Sequence, residues 1–177
     1  MNGSDRLSAA VVRERAASLA SEAMHAVALQ VRRLASEESE DSTFALRWWA
    51  DLQFLVVALR RLRRAADLGE KADNQTGSVR AAIADFDAEL PTLAVMRNVG
   101  EHVDDYALDS PKRRHKAIDR RQLQVGTWDG RSYRWLRDDN GQWLELDVRK
   151  AKEVAENLYA AIRKMEHAAD STVPEVR

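Results

Sequence analysis

Cysteine is absent from all 177 residues, which removes the disulfide scaffold, the zinc ribbon and the thiol nucleophile from consideration. Proline and glycine are scarce, at 3 and 7; this argues against collagen-like, low-complexity and loop-rich β architectures and leaves helices as the default. Long apolar runs are missing as well. The greasiest stretch, residues 52–59, meets Arg60 and Arg61 after eight positions, whereas a bilayer-spanning helix needs about 20 apolar residues. It reads as the buried flank of a helix. The first six residues lack the basic start and apolar core of a secretory signal, so the chain is expected to be cytoplasmic with no membrane partner. Nor does charge of one sign dominate, since 28 Lys and Arg face 29 Asp and Glu. No global field draws the chain to a polyanion, and any such partner must be met by locally segregated charge.

What is present is helical periodicity, in a length suited to one domain over 1–177. Residues 5–36 contain no Pro or Gly, and Ala20, Met24, Val27, Val31 and Leu34 recur at helical steps, predicting an amphipathic helix capped by Ser4 or Asp5. The acidic residues 37–41 interrupt the pattern. Ser42 or Thr43 then caps a second helix with the stripe Ala45, Trp49, Leu52, Val56, Leu59 and Leu62, and the two helices form an antiparallel hairpin. Residues 69–78 read as a loop, with Ser78 capping a third helix over 79–89. Pro91 opens a fourth helix carrying Leu93, Met96, Val99, Val103 and Tyr106, which stops before Pro111.

Beyond a basic connector at 111–116 the period changes to two. Alternating runs around Asp129-Gly130 and past Asn140-Gly141 predict an antiparallel meander within about 122–147. Val148, Ala151, Val154, Leu158, Ile162 and Met165 mark a last helix capped by Asp147, and 168–177 form a frayed tail. The expected fold is mainly α: a four- to five-helix up-and-down bundle with a small three-stranded antiparallel β meander inserted before the last helix.

One stretch crowds Arg, Asn, His, carboxylates and Tyr together: Arg97-Asn98-Val99-Gly100-Glu101-His102, followed by Asp104, Asp105 and Tyr106. At about 100° per residue, Asn98 and His102 share a helix face, while Arg97 and His102 stand about 140° apart. A site using both requires a bent Arg side chain or a second copy of the helix. The stretch resembles the signature of the HEPN superfamily, small all-helical proteins in which an Arg and the polar residue after it precede a His by four to six intervening positions. The close likeness spans about 15 residues; Gly100 inside the motif and the meander after it depart from the minimal pattern.

The resemblance implies a homodimeric bundle acting as a metal-independent endoribonuclease without cofactor, often the toxin of a toxin–antitoxin or phage-defence pair, with RNA and a cognate antitoxin as partners. An imidazole suits transfer of the ribose 2′-OH and leaving 5′-oxygen protons, the part that His102 would play. Arg97 suits a phosphate clamp and Asn98 a supporting role. Tyr106 and the connector residues Arg113, Arg114, Lys116, Arg120 and Arg121 would hold RNA. The run at 60–64, with four Arg in five positions, is a second place where cations are gathered.

Plainer readings compete with each of these. Arg97 and Glu101 have the spacing of an ordinary surface ion pair, and His102 that of a surface histidine. Glu101, His102, Asp105 and Tyr106 lack the spacing of a zinc site, so no metal is assigned. Trp48 and Trp49 suit core or subunit interface. Trp128, Trp135 and Trp143, one per predicted strand, suit either a base-stacking platform or the underside of a sheet packed on the bundle. His25, His115 and His167 show no partner pattern. The alternative to the nuclease is a non-catalytic HEPN-like dimerising module that binds a partner protein or ligand; a helical small-ligand regulator is more distant.

Overall fold

The computed structural model describes residues 8–36, 46–73 and 77–170, with the backbone alone for 168–170. The expected caps at Ser4, Asp5, Ser42 and Thr43, the acidic turn at 37–41, Ala45, and residues 171–177 of the tail lie outside the described residues. Six α-helices and a three-stranded sheet occur in the order α1 (Ala9–Leu34), α2 (Arg47–Glu70), α3 (Ser78–Glu89), α4 (Leu93–Glu101), α5 (Val103–Ala107), β1 (Thr127–Trp128), β2 (Ser132–Arg137), β3 (Trp143–Asp147) and α6 (Val148–Asp170). The fold is mainly helical, with an antiparallel sheet ahead of the last helix.

α1 begins at Ala9, where Ser8 Oγ accepts from the Val11 amide at 3.3 Å, satisfying one of the orphan donors of the first turn. Its fully buried positions are Ala16, Ala17, Ala20, Ala23 and Val27, while Met24, Val31 and Leu34 are only partly covered. The buried stripe is therefore displaced toward alanine, and small side chains let two helices approach closely. α2 supplies the bulk opposite, through Leu52, Leu55, Val56, Leu59 and Leu62. Phe54, inside the greasiest run, faces outward and is 61% exposed.

Two further expectations are corrected. Gly77, with φ 61°, precedes α3, and Ser78 is its first helical residue without a side-chain cap. The fourth helix is broken: His102, at φ −121° and ψ 37°, separates α4 from α5. Gly100, the poorest helix former after proline, precedes the break. Val103 consequently leaves the expected stripe and is half exposed, while Tyr106 remains wholly buried.

The meander is shorter at its start than expected, since residues 120–122 form a 3-10 turn and β1 holds only two residues. Asp129 Oδ1 accepts from the Arg131 and Ser132 amides, and Asp138 Oδ1 from the Asn140 and Gln142 amides, closing the two turns. β2 pairs with β3 through Arg134 and Glu145, then through Arg137 and Trp143. The extra residue is a bulge at which Leu136 takes φ 65°. It turns Leu136 into the core beside Tyr133 and Trp135, where strict alternation would have sent it to solvent. One apolar cluster joins Ala17 and Leu59 to Tyr133, Leu146 and Met165, so sheet and helices share a core. Asp147 Oδ1 accepts from the Lys150 amide at 3.0 Å, the cap expected for α6.

Gly126 sits where the chain runs against β2: a Cβ there would lie 2.3 Å from the Arg134 carbonyl oxygen and 2.7 Å from the Tyr133 ring. Gly126→Ala is expected to destabilise the fold by about 1–3 kcal/mol, the usual cost of overpacking a tight site. The urea midpoint measures it, and an unchanged midpoint would show that β1 is not held against β2 in this way.

Candidate functional site

The motif residues lie on α4 and at its end. Leu93, Met96 and Val99 bury one side of the helix, leaving Arg97 at one edge of its outer face and Val95 and Asn98 toward the other. Arg97 forms an ion pair with Glu101 one turn on. Asn98 is committed elsewhere: its Oδ1 accepts from the Tyr106 hydroxyl at 2.8 Å, and that oxygen accepts from the His115 amide at 3.0 Å. The fully buried phenol thus pins the basic connector to the motif helix. His102 is exposed at the break, with no partner for its ring among the described residues.

Arg97 also faces α2. Burial, together with the charges of Arg63, Arg64 and Arg97, holds the Arg60 guanidinium below the ordinary arginine range against the opposing pull of Asp87. Arg60 is two turns on from Gln53, the α2 residue against Gly100 of α4, so Arg60 lies on the α2 side of the seam that carries the motif arginine, while Arg61 and Arg64 line a cavity with Glu22 of α1. Arg97 and His102 do not meet within one chain; they occupy different edges of the outer face of α4.

The connector residues divide into two groups. Arg113 turns inward, its Nη1 donating to Asp109 at 2.7 Å and to the Ile118 carbonyl at 2.9 Å. Arg120 lies 3.8 Å from Asp109, and Arg121 Nε donates to Asp119 at 2.9 Å. Arg114 and Lys116 are exposed and form no ion pair among the described residues; Lys116 reaches the Pro111 carbonyl. Of the expected RNA contacts, Tyr106 has no exposed surface, and Arg113 turns its Nη1 onto the connector's own fold, its Nε being buried without a hydrogen-bond partner among the described residues. Arg114, Lys116, Arg120 and Arg121 remain on the surface.

Arg114 and Lys116 line a cleft of about 350 Å3 with Val95, His115, Arg137 and Asp139. Burial first, then Arg114, holds the His115 imidazole below its ordinary pKa, with Asp139 opposing. Arg137 also lies 4.1 Å over the Trp143 ring and, with Trp143 and Arg121, borders a smaller adjoining hollow of about 140 Å3. The three sheet tryptophans do not form one platform: Trp135 is buried with its Nε1 donating to the Gln124 carbonyl, Trp128 is half-buried, and Trp143 is exposed. His115 and Arg137 were not legible as site residues; the only signal was the position of His115 inside the basic run. Among the described residues no cluster of three or more His, Asp or Glu is arranged to hold a metal, and no helix is long and apolar enough to cross a membrane.

Against known proteins, no family model, no curated protein and no solved structure matches the chain.

Tyr106→Phe should destabilise the fold by about 1–3 kcal/mol, since both the Asn98 oxygen and the His115 amide lose their partner. Urea unfolding measures the loss, and hydrogen exchange should show the His115 amide opening faster. Wild-type protection at His115 in the variant would mean that the phenol does not pin the connector.

Proposed function

We propose that the chain is a HEPN-like, metal-independent endoribonuclease that works as a homodimer, gripping RNA along the connector cleft and cutting it where motif helices of two copies meet. The observation that carries this reading is the hydrogen-bond chain from Asn98 through Tyr106 to His115. It ties Arg114 and Lys116, exposed and without an ion pair among the described residues, to the helix whose end presents an exposed His102. The separation of Arg97 from His102 around α4 supports a second copy, which can bring one motif's Arg toward the other's His.

In the proposed reaction the imidazole of His102 removes the proton of a ribose 2′-OH, whose oxygen attacks the adjacent phosphorus as the bond to the 5′-oxygen breaks. An imidazolium returns a proton to that leaving oxygen, giving a 2′,3′-cyclic phosphate and a 5′-hydroxyl. Arg97 exchanges Glu101 for the phosphate and offsets the charge gathering on its oxygens. Asn98 is a positioning residue, acting through Tyr106 on the connector.

The second reading, a non-catalytic HEPN-like dimerising module that binds a partner protein or ligand, draws on a specific observation too. Arg97 is already paired with Glu101, and Asn98 with Tyr106. Incubation with mixed RNA in EDTA separates the two. The nuclease predicts 2′,3′-cyclic phosphate ends, lost by about 100-fold or more in His102→Ala and strongly reduced in Arg97→Ala. Equal behaviour of all three proteins, or a requirement for added metal, overturns it in favour of the binding module.

A further inference from the structure

The cations of α2 differ sharply in how they are neutralised. Arg63 is held twice, by a fork onto Asp87 at 2.8 and 2.7 Å and by Asp67. That fork occupies both oxygens of Asp87. Arg60, one turn before, has a buried Nε without a hydrogen-bond partner, and no ion pair among the described residues. Arg64, a further turn on, is exposed and likewise without an ion pair among the described residues. Across the seam stands Arg97, whose carboxylate partner is Glu101. Partly covered like charges repel and lose hydration together, so an anion beside Arg60 would be favoured.

We infer that Arg60, Arg64 and Arg97 form a phosphate-binding site on the seam between α2 and α4, which takes a backbone phosphate of single-stranded RNA. The identity of that phosphate rests on the RNA reading above, whereas the need for an anion rests on the geometry alone. Guanidinium groups from two helices approach from different directions. A planar carboxylate serves one such fork well, whereas a tetrahedral phosphate presents oxygens to several. Asp87 and Glu101 are acidic groups at the seam, and Glu22 of α1 lines a cavity with Arg64; Asp87 is spent on Arg63, and Glu101, partly exposed, is the group that a phosphate would displace from Arg97.

The test is fluorescence anisotropy with a labelled, mixed-sequence single-stranded RNA 20-mer across a salt series, using wild type, Arg60→Gln, Arg64→Gln and Arg149→Gln. The last removes an exposed charge on α6, outside the seam, and controls for net charge. Arg60→Gln and Arg64→Gln are expected to weaken binding about three- to tenfold more than the control and to reduce the salt slope by about 0.7 each. Arg64 is exposed, so its variant reads the site even if Arg60→Gln fails to fold. A second arm measures thermal stabilisation by pyrophosphate. RNA binding by wild type with all three variants alike overturns the site and leaves the RNA reading standing. Stabilisation by pyrophosphate that Arg60→Gln and Arg64→Gln both lose, without RNA binding, upholds an oxyanion site and overturns its assignment to RNA. Neither signal in wild type overturns both.

Discussion

α2 is covered on most of its circumference, by α1, α6, α3 and α4, and that constraint organises the rest of the molecule. A helix enclosed in this way has few directions in which a polar side chain can reach water, so each must find a partner on another element or cost free energy. Three do so. Asp51, buried, takes Arg33 of α1 at 2.7 Å; Gln53 donates to the Tyr133 hydroxyl of β2 at 2.9 Å; Arg63 takes Asp87 of α3. Each pair fixes one neighbour's rotation about α2. Arg60 is the cation on this helix that is partly covered without such a partner among the described residues, whereas Arg61 and Arg64 are exposed.

A second fastening, at Tyr106, does for the connector what those pairs do for the helices. The connector is too polar to be held by burial, with Ile118 its one fully covered apolar side chain. Its position depends on the phenol, on Asp109 and on the inward guanidinium of Arg113. The same residues that looked like nucleic-acid contacts are thus the ones that give the exposed cations Arg114 and Lys116 a fixed place. Removing the inner residues would move the outer ones, so loss of function on mutating Tyr106 or Arg113 would not identify them as contacts.

The parts of the fold legible in sequence were those set by local rules. Helical stripes located α1, α2 and α6, Asp-Gly and Asn-Gly located the turns, and Asp147 capped α6 as its position required. What escaped were features decided by contacts distant in sequence or by a single irregular residue. The break at His102 and the bulge at Leu136 each shift a side chain across a surface that periodicity would have assigned otherwise. Tyr106 continued the apolar stripe and also looked like a binding aromatic, and only its two hydrogen bonds show which role it fills. The seam of Arg60 with Arg97 has no signature in sequence, because their approach is made by packing α4 on α2.

A net charge of −1 conceals an uneven surface, and the shape of α4 gives that unevenness a direction. Its outer face has Arg97 at one edge, beside Arg60, and Val95 at the other, lining the cleft of Arg114 and Lys116. At about 100° per residue, Glu101, Asn98 and His102 fall between those edges. A polyanion that engages both groups of cations must cross this face, and in crossing it passes Glu101 and then the exposed imidazole of His102. Glu101 is an obstacle of like charge on that path, and its pairing with Arg97 removes the obstacle only while Arg97 is not used by the polyanion. Occupation of the seam and passage over α4 are therefore coupled through one carboxylate: a phosphate that takes Arg97 from Glu101 leaves that carboxylate unpaired beside the strand, where like charges repel.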